Sequence, residues 1–344
     1  MRAEQRILVW GDTALAGWLA TRWAAHGAVT WLASEAIAAA IEDAGGLVVE
    51  AERLPQVPLI TAMAQSPRPD MIVLACPAWQ VAANLHHLAT FVPPGEAPPF
   101  MVWVGLGVGP QQQIESLFGA EHSLAVVPTR IPQFVTHPER PAEPLLNTII
   151  VDDWGGFTVQ NGHPRSLEIV RWFKLLGAPV ASAPQDSLLW SSVVWGIQAN
   201  ALSTILDIPP ARVYTTPDYF AWEHQQLGEA YAILQRKGVA LTGLPGVNLP
   251  RLWDALRWVP RPLAGAVLRP VPRPPHLRGE LHTGRSSAAY LNGAIAVAAH
   301  EMGLATPVNH SLALIVTDIA EGRALWSSYR QNPNLLLASL RIAQ

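Results

Sequence analysis

The stretch Ile7-Leu8-Val9-Trp10-Gly11-Asp12-Thr13-Ala14-Leu15-Ala16-Gly17-Trp18-Leu19-Ala20 decides the fold class. Four apolar residues read as a buried strand and a glycine supplies the turn. A run of helical apolar period then extends from about Ala14 to Ala25. The same unit recurs downstream. Val29–Leu32, Leu47–Val49, Met71–Leu74 and Met101–Val104 are short apolar runs, and helical patterns follow at Ala78–Ala89 and Gln111–Phe118. Strands that alternate with helices pair in parallel through crossovers, so the first part of the chain reads as a doubly wound α/β sheet.

Past residue 120 the alternation stops. Leu124–Val127, Thr148–Val151 and Gly156–Val159 read as strands without long helices between them, an antiparallel extension of the sheet. A helix over Arg165–Leu176, stopped by Gly177, and a short strand near Val180 close a Rossmann-type domain over residues 1–183. Residues 184–344 carry only helical patterns, at Ser187–Leu206, Tyr219–Lys237, Leu249–Trp258, Ser286–Met302, Asn309–Glu321 and Ala324–Leu340, and predict an all-helical second domain. Pro260–Arg285 reads as an irregular, arginine-rich surface loop.

Composition narrows the function. With 50% hydrophobic and 14% charged residues the chain can build a large core. A net charge of −3 argues against a nucleic-acid partner, and one cysteine, Cys76, excludes a disulfide framework or a cysteine zinc site. No apolar run reaches membrane length, and Asp12, Arg22 and His26 break any signal-peptide pattern. The expectation is a soluble, cytoplasmic protein without a membrane partner.

The first turn stands where a dinucleotide fingerprint belongs. The fingerprint has three glycines; here the six positions are Gly11, Asp12, Thr13, Ala14, Leu15 and Ala16. Gly11 makes the turn and Ala16 is an accepted third residue. Thr13 brings a β-branched side chain toward the pyrophosphate position, and Asp12 adds negative charge beside it. After the second strand no arginine is present to hold a 2′-phosphate, and Glu35 lies late for a ribose contact.

Further motifs appear in order along the chain: Cys76-Pro77-Ala78-Trp79-Gln80, Gly107-Val108-Gly109, Trp190 to Leu206, Tyr290-Leu291-Asn292-Gly293, and Gly303 with Thr306-Pro307-Val308-Asn309. Together they resemble the ketopantoate reductase (2-dehydropantoate 2-reductase) family. The resemblance implies a Rossmann domain followed by a helical domain of the 6-phosphogluconate-dehydrogenase-like type. It also implies a small-molecule ligand in the cleft between them, NADP(H) as cofactor and a homodimer. The family's chemistry is hydride transfer to an α-keto acid, with a lysine as proton donor and asparagines and a glutamate on the substrate.

This sequence departs at most of those positions. The family lysine falls at Ser192, its first asparagine at Gly196, and its glutamate at Ser287; Asn200 is the asparagine that survives. Pro77, Leu106 and Ala33 replace the lysine, asparagine and arginine around the cofactor. Losing a general acid alone removes ~10²–10⁴ in rate. The coordinated departures point to a divergent member: an NAD(P)H-linked oxidoreductase on an altered keto or hydroxy substrate, or a non-catalytic binding or interaction protein.

Other chemistry is weaker. Ser192 has no nucleophile-elbow motif around it. His86-His87 and His300-Glu301 lack metal-ligand spacing, so no metal site is expected, and Asp152-Asp153 reads as a turn. The tryptophans, 14 in all, read first as core. An aromatic pocket is the alternative.

Overall fold

A computed structural model describes residues 5–53, 57–90, 92, 96–136, 144–258 and 276–342. The chain divides into a sheet unit, Met1–Gly105 with Pro110–Gln185 and Leu244–Val247, and a helical unit, Leu106–Gly109 with Asp186–Gly243 and Asn248–Gln344.

The sheet unit is built on β1 (Arg6–Trp10), β2 (Ala28–Leu32), β5 (Leu59–Ile60), β6 (Met71–Leu74), β7 (Phe100–Val104), β8 (Ser123–Pro128), β11 (Phe157–Gln160) and β12 (Val180–Ala183), in the order β12-β11-β8-β7-β6-β1-β2-β5. The pairs from β5 through to β8 are all parallel, and β1 lies between β2 and β6. That is the switch point of a doubly wound sheet, where ligands bind beyond the carboxyl ends of the strands. β6 and β7 are buried along their whole length, as expected of parallel strands covered on both faces. Helices α1 (Ala14–Ala24), α2 (Glu35–Asp43), α3 (Val81–Ala89), α4 (Pro110–Phe118) and α5 (Ser166–Lys174) supply that cover.

The structure corrects the sequence reading in three places. Leu47–Val49 does not join the main sheet. Glu50 and Ala51 both adopt positive φ, and the chain turns there into a four-stranded sheet of β4 (Glu52–Arg53), β3 (Val48–Val49), β10 (Pro144–Ile150) and β9 (Gln133–Thr136). The place beside β2 goes to Leu59–Ile60, too short to register as a strand pattern. The Thr148–Val151 strand belongs to the small sheet within β10. Leu124–Val127 pairs parallel with β7, so the antiparallel section starts only at β11.

Tryptophans fill this core. Trp18 stacks on Phe157 at 6.0 Å, and Trp23 meets Phe173 edge-on at 5.2 Å while its indole N–H donates to Trp172 O. Trp31 lies over Gly17, where a Cβ would come within 2.8 Å of the indole, and its Nε1 donates to Gly11 O.

In the helical unit the pattern Ser187–Leu206 is two helices, α6 (Gln185–Ile197) and α7 (Asn200–Leu206), broken at Ala199 with φ +50. The break is held from α9 (Pro217–Lys237), which follows α8 (Pro210–Thr215). Glu223 accepts Ala199 N–H at 2.8 Å, and Gln226 donates to Ile197 O at 3.0 Å. Buried backbone groups freed by a kink need such partners. The remaining helices are α10 (Leu249–Trp258), Asn292–Glu301, Pro307–Ala320, Trp326–Tyr329 and Pro333–Ile342. The pattern read as Ser286–Met302 is broken at Leu291, and Ala324–Leu340 before Pro333. Most of the arginine-rich loop, 259–275, lies outside the described residues. Among the described residues no helix is long and apolar enough to cross a membrane.

Candidate functional site

At the carboxyl edge of the main sheet, β1 ends in a turn that only glycine permits. Gly11 has φ +154, and a Cβ there would stand 2.3 Å from Ala75 O. Thr13 caps α1: its hydroxyl accepts Ala16 N–H at 3.1 Å and donates to Ala75 O at 2.7 Å. The hydroxyl is therefore spent on the protein itself. The N–H groups of Ala14 and Leu15 lie in the first helical turn, where no intrahelical acceptor exists. Asp12 is exposed, and its Oδ1 accepts the N–H of Ser34 at 2.7 Å, so its charge is drawn toward the end of β2.

These residues border a cleft of about 290 Å³, lined by Trp10, Gly11, Asp12, Leu32, Ala33, Ser34, Thr61, Met63, Gln80, Ala83, Asn84 and His87. Trp10 and His87 meet edge-on at 6.0 Å on its wall. Among the described residues the lining holds no lysine or arginine. Cys76 beside it is buried; burial pushes its thiol up to about 12 although Asn84 donates to the sulfur. It is not a nucleophile at neutral pH.

The helical unit holds the other sequence-predicted residues. Ser192 is fully buried; its hydroxyl donates to Leu189 O at 2.6 Å and accepts Gly107 N–H at 2.9 Å. The loop of Leu106–Gly109 is clamped further by Val108 N–H to Tyr290 O at 3.0 Å. At Gly196 a Cβ would come within 2.6 Å of Leu291 Cδ2, so a side chain there would have to push the Leu291 tip aside. Asn200 is 2% exposed and committed: Nδ2 donates to Gly196 O, Nδ2 lies 3.0 Å from a ring nitrogen of His276, and Oδ1 accepts Leu277 N–H.

Ser287 meets a glutamate that sequence reading missed. Its N–H and hydroxyl donate to the Glu280 carboxylate at 2.6 and 2.7 Å, and Ser286 adds a third bond at 3.2 Å. Burial outweighs these bonds and pushes the Glu280 carboxyl up from 4.5 to about 7. Between those values the folded chain holds a proton that the unfolded chain has released, so stability falls as pH rises through that window and levels off above it. Replacing Glu280 by glutamine should remove that decline, a change on the order of 2 kcal/mol between pH 5 and 8. Urea midpoints of both proteins across that range would show it; parallel curves would refute it.

The family signature residues Asn292 and Asn309 sit in a buried network instead of a cleft. Asn292 Nδ2 donates to Gln226 Oε1 and Asn309 Oδ1, at 3.0 and 2.9 Å. Asn309 Nδ2 donates to Gln226 O and Glu229 Oε2, both at 2.8 Å. Glu229 also accepts the N–H groups of Val308 and Asn309, and burial still raises its carboxyl. Glu223, Gln226 and Glu229 recur every third residue of α9, a polar stripe that could have been noticed in the sequence. Among the described residues no cluster of three or more His, Cys, Asp or Glu could hold a metal ion; His86, His87, His300 and Glu301 are exposed.

Residues 186–320 match the model of the ketopantoate reductase PanE/ApbA C-terminal domain. That match spans much of the helical half of the chain. Solved ketopantoate reductases share the fold over both halves. The PanE/ApbA family ketopantoate reductase of Ralstonia eutropha JMP134 superposes with a TM-score of 0.70 at 19% identity, over 93% of this chain and 99% of that one. The 2-dehydropantoate 2-reductase of Geobacter metallireducens GS-15 gives 0.67 at 18%, over 90% and 98%. D-mandelate dehydrogenase, solved with NADH and anilino(oxo)acetate, gives 0.71 at 15%, over 92% and 99%. No curated protein matches the chain. The chain thus shares its fold with solved ketopantoate reductases and with D-mandelate dehydrogenase.

Proposed function

We propose that this chain is an NAD(H)-linked oxidoreductase of the ketopantoate reductase fold, acting on a keto or hydroxy compound other than ketopantoate. The observation that carries the cofactor reading is the Asp12–Ser34 tie beside a cleft whose described lining holds no lysine or arginine. The second oxygen of Asp12 suits a ribose hydroxyl and repels a 2′-phosphate. Gly11 lets the backbone approach the phosphates, and Ala14 and Leu15 would offer them N–H donors. The dinucleotide, when bound, supplies or accepts hydride. Trp10 and His87 would wall its nucleoside, and NADP(H), the family's implied cofactor, would meet no guanidinium here.

The substrate reading rests on Ser192, buried and bonded at both ends where the family keeps a lysine. A non-catalytic binding protein is the second reading, favoured by the internal bonding of Asn200 and Ser287 as well. Titration with NADH and NADPH, followed by calorimetry and by quenching of Trp10, tests the first reading. NADH should bind at least about tenfold tighter, the equivalent of ~1.4 kcal/mol. Equal affinity, or binding of neither, defeats it. NADH that binds and is oxidised by no keto acid in a panel moves the assignment to the second reading.

A further inference from the structure

We infer that Arg130 is an anchor for a ligand carboxylate at the carboxyl edge of the main sheet. Arg130 is the second residue after β8, and its backbone is fixed. Thr129 N–H and Arg130 N–H both donate to Gly156 O, at 2.8 and 3.1 Å, and Thr129 Oγ1 donates to Pro245 O at 2.7 Å. Gly155 presses against this corner so closely that a Cβ would stand 2.7 Å from the Thr129 carbonyl carbon.

The side chain leaving this rigid base is 8% exposed. Among the described residues its guanidinium makes one hydrogen bond, Nη2 to Asp153 O at 2.7 Å, while the buried Nε has no partner and no carboxylate pairs with it. The ion-paired arginines behave differently. Arg6, Arg22, Arg165, Arg278, Arg323 and Arg330 are all partly exposed, and each meets an aspartate or glutamate. Arg130 is buried, yet it meets no anion among the described residues.

A guanidinium cannot shed its proton to relieve burial, and an uncompensated buried charge is worth several kcal/mol of instability. Its Nε–H belongs to the side-on pair of donors that a carboxylate accepts in parallel. The missing partner is therefore an anion with two coplanar oxygens. Its position separates it from the dinucleotide phosphates. β8, β7, β6 and β1 lie side by side and parallel, so three strand spacings, about 14 Å, separate the ends of β8 and β1 along the same edge. That the carboxylate belongs to the substrate rests on the proposed function; the anion site itself does not.

The test uses the full chain with ¹⁵N-labelled arginine. The Arg130 Nε–H resonance is assigned by its absence in the Arg130→Lys variant. Oxamate, a keto-acid analogue, is added with and without NADH; oxamide, its uncharged counterpart, and inorganic phosphate are run in parallel. Oxamate should move the resonance saturably and oxamide should not, and Arg130→Lys should bind oxamate at least tenfold more weakly with NADH affinity unchanged. A resonance unmoved by oxamate, a variant that binds oxamate like the parent, or phosphate binding as tightly as oxamate would each overturn the inference. If NADH fails to bind while oxamate still moves the resonance, the anion site stands and the dinucleotide reading falls.

Discussion

Replacing Glu223 by alanine should remove about 4 kcal/mol from the stability of the helical unit, since three donors lose one acceptor at ~1–3 kcal/mol each. Those donors are Ala199 N–H at 2.8 Å, the Tyr214 hydroxyl at 3.1 Å and Gln226 Nε2 at 2.6 Å. Glu223 and Gln226 are fully buried, so water cannot take the place of the carboxylate without a rearrangement. The loss propagates, because Gln226 also holds Ile197 O and accepts from Asn292. Thermal unfolding should shift down by roughly 10 °C, with the variant Glu223→Gln intermediate. A shift under ~2 °C would mean that the kink at Ala199 is held by packing alone.

Ser192→Lys, the substitution that puts a lysine where the family resemblance implies one, should fail twice. The site is fully buried, and the nearest polar groups are Leu189 O and Gly107 N–H. The N–H is a donor facing the hydroxyl, and it would repel an ammonium. Inserting the longer chain and an unpaired charge should destabilise the protein by at least ~3 kcal/mol. Ketopantoate-dependent NADH or NADPH oxidation should stay at the background of the parent protein. A folded variant gaining ~10²-fold or more in that rate would show that the ancestral pocket is still open and that only the acid was lost.

Much of the fold is legible in the sequence because the relevant signals are local. The strand runs Ile7–Val9, Met71–Leu74 and Met101–Val104 are buried on both faces, so their apolar character is continuous. The misreadings share a cause: a partner distant in sequence decides the conformation. Ala199 turns left-handed because of side chains 24 and more residues later on α9. Leu59–Ile60 becomes a strand because β2 offers it an open edge, and Val48–Val49 leaves because β10 pairs with it.

The candidate site follows the same rule. Gly11 and Thr13 can be placed from their own motif, yet the reach of Asp12 to Ser34 spans 22 residues. Ser192, Asn200 and Ser287 are readable as positions, but their partners Gly107, His276 and Glu280 come from a loop and from a single short 3-10 turn, His276–Glu280, with no periodicity to mark them. Arg130 had no signal at all, since a single arginine after a strand is ordinary until its burial is known.

The interleaving of the two units bears on how the chain can be made and cut. Leu106–Gly109 is contributed to the helical unit from within the sheet sequence, and Leu244–Val247 is returned to the sheet unit from within the helical sequence. A ribosome has therefore released the whole Rossmann-type sequence before the segment that accepts the Thr129 hydroxyl bond has emerged. The early unit must wait, incompletely closed, while α6 to α9 are still being synthesised. A fragment cut at the end of β12 would lack its last segment, and the complementary fragment would lack the N–H that Ser192 accepts. Neither half is expected to fold alone, and a gene fusion or permutation that respects this protein has to keep both exchanges within one chain.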